Sequence, residues 1–214
     1  MKAMIIGASG ATGKALLQQL LDDSAFGQVE IFVRRDVGIQ HPKLSVQRID
    51  FADSASWRDK VRGDVLFSCL GTTLKAAGSQ AAQKVVDYDY QLAFAQAAAA
   101  NGVGTLALVS SGGASAASRL FYPRIKGELE QAVQALDFER LLIFRPPLLL
   151  RPDSDRPAEI WGGKILKRLN AIGLFKSQTP LPTDKLAAAM IRAVKQQRVG
   201  TQILEATEIW RLLD

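Results

Sequence analysis

With 214 residues, 48% of them hydrophobic, the chain is long enough for one well-buried core and short for two, so residues 1–214 read as a single domain. Cys69 is the only cysteine, which excludes an internal disulfide. With no secretion signal at the N-terminus and no apolar run near the roughly 20 residues a bilayer span needs, the composition points to a cytoplasmic protein with no membrane partner. The formal charge of +6 comes from basic residues scattered along the chain rather than gathered with aromatics, which argues for an anionic small ligand and against nucleic acid.

The apolar run Ala3-Met-Ile-Ile6 predicts a first strand. It feeds Gly7-Ala-Ser-Gly-Ala-Thr-Gly13, which leads into the helical pattern Lys14-Ala-Leu-Leu-Gln-Gln-Leu-Leu21. A strand, a glycine turn and a helix in that order make a phosphate cradle. Glycine lets the backbone pass close to a pyrophosphate, and the free N–H groups and dipole of the helix start favour its negative charge. Gly7, Ser9, Gly10, Ala11, Thr12 and Gly13 are therefore candidate dinucleotide-binding residues. The competing reading is a tight structural turn.

A second strand over residues 29–33 ends in Val33-Arg34-Arg35. Dinucleotide folds usually carry an acidic residue there to grip the ribose 2′-hydroxyl. Two guanidiniums instead suit a 2′-phosphate through fork-shaped, charge-assisted hydrogen bonds, so Arg34 and Arg35 favour NADP(H). The alternative is that both are surface charges and Asp36 takes the acidic role. A third strand over 45–49 delivers Asp50 and Phe51, candidates for the adenine amino group and ring, although Asp50 equally caps a helix starting near Ser54. A fourth strand over 64–68 ends in Cys69-Leu-Gly-Thr-Thr73. There Gly71 admits the cofactor backbone, Thr72 reaches phosphate or ribose, and Cys69 and Leu70 flank them. With no histidine near it in sequence, Cys69 reads as a small apolar residue rather than a nucleophile.

The longest helical pattern runs from Gln80 to Asn101, its alanine-rich end suited to close packing, and a fifth strand follows over 105–109. Strands apolar at consecutive positions, alternating with helices, predict an α/β chain built on a doubly wound parallel sheet. The fifth strand delivers Ser110 and Ser111, and a helix from about Phe121 carries Tyr122 and Lys126 four apart on one face. A Lys⁺ beside a tyrosine favours its phenolate and makes the hydroxyl a usable proton donor and acceptor; the lysine also suits the nicotinamide ribose. A serine hydroxyl steadies the charge on a reacting carbonyl oxygen. A sixth strand over 139–144 precedes Arg145-Pro-Pro147. The stretch 151–183 then reads as a small substrate-side cap, with a helix over 158–169 bearing Lys164, Lys167 and Arg168. Trp161, Leu166, Leu169, Leu174 and Phe175 suit a pocket wall, a cap core or a self-association surface, so a homo-oligomer stays open. Helices over 184–196 and 207–213 flank a last strand at 201–204. His41 reads as a turn residue, and one His with one Cys leaves no ordinary zinc site.

Taken together, Gly7-x-x-Gly10-x-x-Gly13, Arg34-Arg35, Cys69-Leu-Gly-Thr-Thr73, Val109-Ser-Ser111, Tyr122-x-x-x-Lys126-Gly-Glu128 and Arg145-Pro146 resemble the short-chain dehydrogenase/reductase superfamily. Within it the chain looks most like the small atypical branch that includes the Tat-interacting-protein-like oxidoreductases, over nearly its whole length. The resemblance implies a Rossmann-like fold, NADP(H) binding, and a Ser-Tyr-Lys catalytic set on Ser111 or Ser110, Tyr122 and Lys126. It also implies that Pro146 borders the nicotinamide. Two features depart from the pattern: only 11 positions separate Ser111 from Tyr122, and Pro123 requires Tyr122 to sit in the first helical turn. Which of Ser110, Ser111 and Ser115 faces substrate is left open. The expected activity is hydride transfer between NADP(H) and a small carbonyl or alcohol. The alternatives are a non-catalytic cofactor sensor and an epimerase or dehydratase that retains its cofactor.

Overall fold

The structure is a computed structural model that describes residues 1–150 and 179–214. Its strands follow the apolar runs: β1 (Lys2–Ile6), β2 (Gln28–Val33), β3 (Leu44–Arg48), β4 (Val65–Ser68), β5 (Thr105–Val109), β6 (Arg140–Phe144), the short β7 (Leu149–Leu150) and β8 (Leu181–Pro182), and β9 (Gly200–Leu204). The helices are α1 (Ala11–Asp22), α2 (Leu74–Ala77), α3 (Gln80–Lys84), α4 (Tyr90–Ala100), α5 (Phe121–Gln134), α6 (Thr183–Lys195) and α7 (Ala206–Arg211). The helix expected over 158–169, with Lys164, Lys167 and Arg168, and the apolar residues Trp161, Leu166, Leu169, Leu174 and Phe175 lie outside the described residues. No helix among the described residues is long and apolar enough to cross a membrane.

Seven strands form one all-parallel sheet in the order β3-β2-β1-β4-β5-β6-β9, the doubly wound arrangement expected. Chain direction along the sheet reverses between β1 and β4, which opens a crevice at the carboxyl ends of those two strands. Successive strand residues feed opposite layers. Ala3 and Ile5 pack with Leu16, Leu17 and Leu20 of α1 and Met190 of α6, while Met4 and Ile6 pack with Phe94 of α4 and Leu129 of α5. Both faces are covered, which is why the central strands carry no polar alternation. Trp57 closes the second layer by stacking on Phe94, ring centroids 3.9 Å apart.

Three local expectations change. The helix expected near Ser54 is two short 3₁₀ turns, Ser54–Ser56 and Arg58–Lys60. The Asp50 carboxylate accepts the Ala52 N–H at 2.9 Å, and the Trp57 indole N–H donates to the Asp50 carbonyl at 3.0 Å, so the chain is bent back before a helix can propagate. The long helix over Gln80 to Ala100 is broken by a π turn at Val85–Asp89. Lastly, the turn-rich stretch before α6 ends in strand β8, which pairs in parallel with β7. Its Leu181 is fully buried in the α1 and α6 layer.

One ionic network fastens the carboxyl ends of β5 and β6 to α5. Arg145 Nε and Nη2 donate to the two oxygens of Glu130 at 3.0 and 2.5 Å, and Nη1 donates to Glu205, just ahead of α7, at 2.8 Å. The Ser110 hydroxyl also donates to Glu130, which is 2% exposed. Hydrogen bonds to these carboxylates hold the Arg145 proton more tightly than in a free guanidinium. Losing Glu130 leaves the buried Ser110 hydroxyl without its acceptor and the Arg145 guanidinium, 21% exposed, with Glu205 alone, whereas a half-exposed carboxylate is replaced by water at little cost. Urea unfolding is therefore expected to find Glu130→Ala destabilised by about 2–3 kcal/mol and Glu205→Ala by less than about 1 kcal/mol. The same measurement separates two glycines. A Cβ on Gly13 would lie 2.1 Å from the Gly7 carbonyl oxygen, while one on Gly27 meets nothing within 4 Å. Gly13→Ala should cost about 3 kcal/mol or more and Gly27→Ala less than about 0.5 kcal/mol.

Candidate functional site

The glycine turn after β1 is built by close approach. Gly7 has φ +84°, and a Cβ there would sit 2.4 Å from the Cys69 carbonyl, so the turn runs directly against the chain leaving β4. Gly13 brings the first turn of α1 down onto Gly7 in the same way. Gly10 is different: among the described residues a Cβ there would meet only the Gly7 oxygen, at 3.3 Å. Ser9 and Gly10 are exposed and Ala11 is half-buried, whereas Thr12 and Gly13 point into the packing. The start of α1 has no side-chain cap and no acidic residue in its first turn. An uncapped start on a 12-residue helix, beside an open glycine, fits the pyrophosphate of a dinucleotide.

From this turn a cleft of about 800 Å³ extends past Arg34, Arg35, Phe51 and Leu70. A neighbouring space of about 390 Å³ shares Gly7, Ser9, Arg34 and Leu70 with it and reaches Gly10, Cys69, Gly71 and Thr72. Gly7, Ser9, Gly10, Arg34, Arg35, Phe51, Cys69, Leu70, Gly71 and Thr72 thus line one trough, which Ala11, Thr12 and Gly13 do not line. Asp50 is not among its lining residues. Its carboxylate is exposed and turned to the Ala52 N–H, while Phe51 lines the cleft and packs on Tyr90 and Phe94. Asp36 gives one oxygen to the Gly38 N–H at 3.0 Å. Lys14 also lines the cleft, a cation the sequence reading passed over although it directly follows Gly13.

A second cavity, of about 630 Å³, opens at the carboxyl ends of β5 and β6 and is lined by Ser111, Tyr122, Arg145, Pro146 and Glu205 among others. Of the three candidate serines, Ser110 is buried and spent on Glu130, and Ser115 is exposed on the loop. Ser111 lines the cavity with Tyr122. α5 begins at Phe121, so Pro123 falls in its first turn, where proline is tolerated. Lys126 does not line the cavity. It is 1% exposed, and its ammonium donates to the Val109 carbonyl at 3.0 Å beneath the surface. Burial lowers its pKa, opposed by the charges of Asp87 and Glu130.

A polar stripe outside the sequence expectations lies on the helix that crosses behind this edge. Gln83, Asp87 and Gln91 are all buried, at 5%, 0% and 1% exposure. Gln83 donates to the Thr72 carbonyl at 3.4 Å, Asp87 accepts the Thr72 N–H at 3.1 Å, and Gln91 donates to the Asp87 carbonyl at 2.9 Å and accepts from Ser68 at 2.8 Å. The signal was present as three polar residues spaced by four on an otherwise apolar helix face. Cys69 sits half-buried beside them, its thiol pushed up to about 12 by burial, which agrees with an unreactive small side chain. Among the described residues no three of His, Cys, Asp and Glu gather as metal ligands.

Residues 7–147 match the NAD(P)H-binding family. The protein FMP52, mitochondrial, of Eremothecium gossypii is 33% identical over 224 residues, covering 100% of this chain and 97% of its own. HTATIP2 of Rattus norvegicus is 39% identical over 161 residues, covering 72% of this chain and 66% of its own. Among solved structures, the Bordetella bronchiseptica enzyme WbmH in complex with NAD⁺ matches with a TM-score of 0.72 at 17% identity, over 95% of this chain and 75% of that one. The UDP-glucose 4-epimerase of Thermotoga maritima with UDP-glucose matches at 0.70 and 13%, over 100% and 81%. At these identities the likeness to both is one of fold. The fungal names overturn the cytoplasmic expectation, because those relatives are mitochondrial. A lone cysteine argues only for a compartment that keeps thiols reduced, and so it could not tell one such compartment from another. With the glycine cradle, the parallel sheet and these relatives in agreement, the chain belongs to the NAD(P)H-binding family, in the atypical branch of the short-chain dehydrogenase/reductase superfamily.

Proposed function

We propose that the chain is an NADP(H)-dependent oxidoreductase that moves hydride between the nicotinamide and the reacting carbon of a small carbonyl or alcohol substrate. One observation carries the reading: Ser111 and Tyr122 line one cavity, bordered by Pro146, at the same edge of the sheet as the open cradle of Ser9 and Gly10. Arg34 and Arg35, with Lys14, line the same cleft as Asp36, and two adjacent guanidiniums suited to a 2′-phosphate support NADP over NAD. The names of the fungal relatives support a mitochondrial setting.

A bound NADP(H) supplies or accepts hydride at its nicotinamide. Ser9, Gly10 and Ala11 would hold its pyrophosphate, and Cys69, Gly71 and Thr72 would border it. The Ser111 hydroxyl donates a hydrogen bond to the substrate oxygen and steadies the charge that develops there. Tyr122, one helical turn before Lys126, gives that oxygen a proton during reduction and takes it back during oxidation. The Lys126 ammonium, held on the Val109 carbonyl beneath the cavity, favours the Tyr122 phenolate by charge. Because burial lowers the Lys126 pKa, its charge is complete at low pH and is lost as pH rises through that lowered value, and the support for the phenolate goes with it.

Two measurements test the reading. In cofactor titrations, Arg34→Ala and Arg35→Ala should each weaken NADPH binding by about 10-fold or more while changing NADH binding by less than about twofold. Equal or tighter binding of NADH by the parent protein would sink the NADP assignment. In a carbonyl-substrate screen that follows NADPH absorbance, Tyr122→Phe should lower turnover by about 100-fold or more with NADPH affinity unchanged. Tight NADPH binding with no turnover across the panel would leave the sensor reading in its place.

A further inference from the structure

Glu130 and Glu205 share one guanidinium, and they do different work. Glu130 alone matches the charge of Arg145: its two oxygens take the Nε and Nη2 edge, and its side chain is only 3% exposed. That two-pronged contact is the geometry in which arginine binds a carboxylate best. Glu205 then adds a second carboxylate at Nη1, 2.8 Å away, on a side chain that is 49% exposed. An ion pair so exposed does little for the stability of a fold. It does change the charge of the cavity that holds Ser111 and Tyr122, because Arg145 and Glu205 both line it. Two carboxylates on one guanidinium leave one negative charge over. Among the described residues Arg145 is the only cation on that wall, and each of its three nitrogens already donates to a carboxylate. Around them Pro146, Pro147, Leu148 and Ala206 present apolar surface.

We propose that Glu205 is a specificity-determining residue: by occupying Nη1 of Arg145 and leaving the wall negative, it confines the cavity to carbonyl compounds that carry no negative charge and have an apolar substituent. The proposal rests on the reductase reading above and adds the class of substrate to it. A substrate carboxylate entering here must either displace Glu205 from Nη1 or lie beside a charge of its own sign, in a space where loss of water strengthens the repulsion. Discrimination of this kind comes from a repulsive element and needs no new attractive contact. Glu205 can serve it at little structural cost, since the two-pronged contact of Glu130 holds Arg145 in place without it.

A matched pair of aldehydes tests it. The para-formylbenzoate anion and its methyl ester share the reacting carbonyl and differ in charge. With the parent protein and NADPH, kcat/KM for the ester should exceed that for the acid by about tenfold or more. Glu205→Gln, which keeps an acceptor for Nη1 and removes the charge, should lower that ratio by about fivefold or more, and Glu205→Ala, which also frees Nη1, should lower it further. A residue that merely held α7 in place would move both aldehydes alike and leave the ratio unchanged. The same ratio is read as binding in the presence of NADP⁺, which has no hydride to give, from the dissociation constants of the two aldehydes measured by ligand-observed NMR. A preference for the ester in binding that fades in Glu205→Gln, with neither aldehyde turned over, supports the proposal and sinks the reductase reading. The proposal is overturned if the parent binds acid and ester within about twofold of each other, if both variants keep the parent's ratio within about twofold, or if the ester does not bind. None of these results touches the role of Tyr122, which Tyr122→Phe decides.

Discussion

At the carboxyl edge of the sheet, backbone meets backbone with no space for a side chain, and the cofactor trough depends on that contact. Gly7 turns out of β1 against Cys69 and Leu70, and Gly13 seats α1 on Gly7. Neither contact can be eased by a change of rotamer, because the clashing atoms belong to the main chain. Two consequences follow at once. The open start of α1 is brought beside the loop that follows β4, and Gly10 is left as the member of the motif with a free side. The open, uncapped start of α1 is therefore the by-product of how tightly β1, α1 and β4 converge.

Behind that edge the protein buries charge in two ways. Arg145 and Glu130 are matched in geometry and nearly complete in hydrogen bonds, so they lock β5, β6 and α5 together and contribute little net charge of their own. Asp87 and Lys126 are buried instead on backbone groups, the Thr72 N–H and the Val109 carbonyl. In a low-dielectric interior a charged group acts on its surroundings far more strongly than in water. The first arrangement is rigid scaffolding. The second leaves a buried lysine one turn of helix from the tyrosine that lines the cavity.

Much of this was legible in the chain. Consecutive apolar positions such as Leu106, Ala107 and Leu108 mark strands covered on both sides, and all seven strands of the main sheet fall within a residue or two of their expected bounds. The glycine spacing located the cradle, and the four-residue step from Tyr122 to Lys126 placed both on α5. The choice among three serines was not legible, because the residue that removes Ser110 from contention is Glu130, 20 positions away. Nor was the fate of Asp50, whose carboxylate and carbonyl are claimed by Ala52 and Trp57 only once the chain turns back.

The sequence by itself determined the elements, their alternation and the chemistry available at each strand end, since periodicity, turn residues and helix spacing act over a few residues. Only the tertiary structure decided which of those groups are free to meet a ligand. Burial and partner choice depend on distant segments: Arg145 with Glu130 and Glu205, Thr72 with Asp87, Leu149 with Leu181. Lys126 illustrates the difference best. Its spacing from Tyr122 is a property of one helix, but its 1% exposure and its bond to the Val109 carbonyl arise where separate elements close over it.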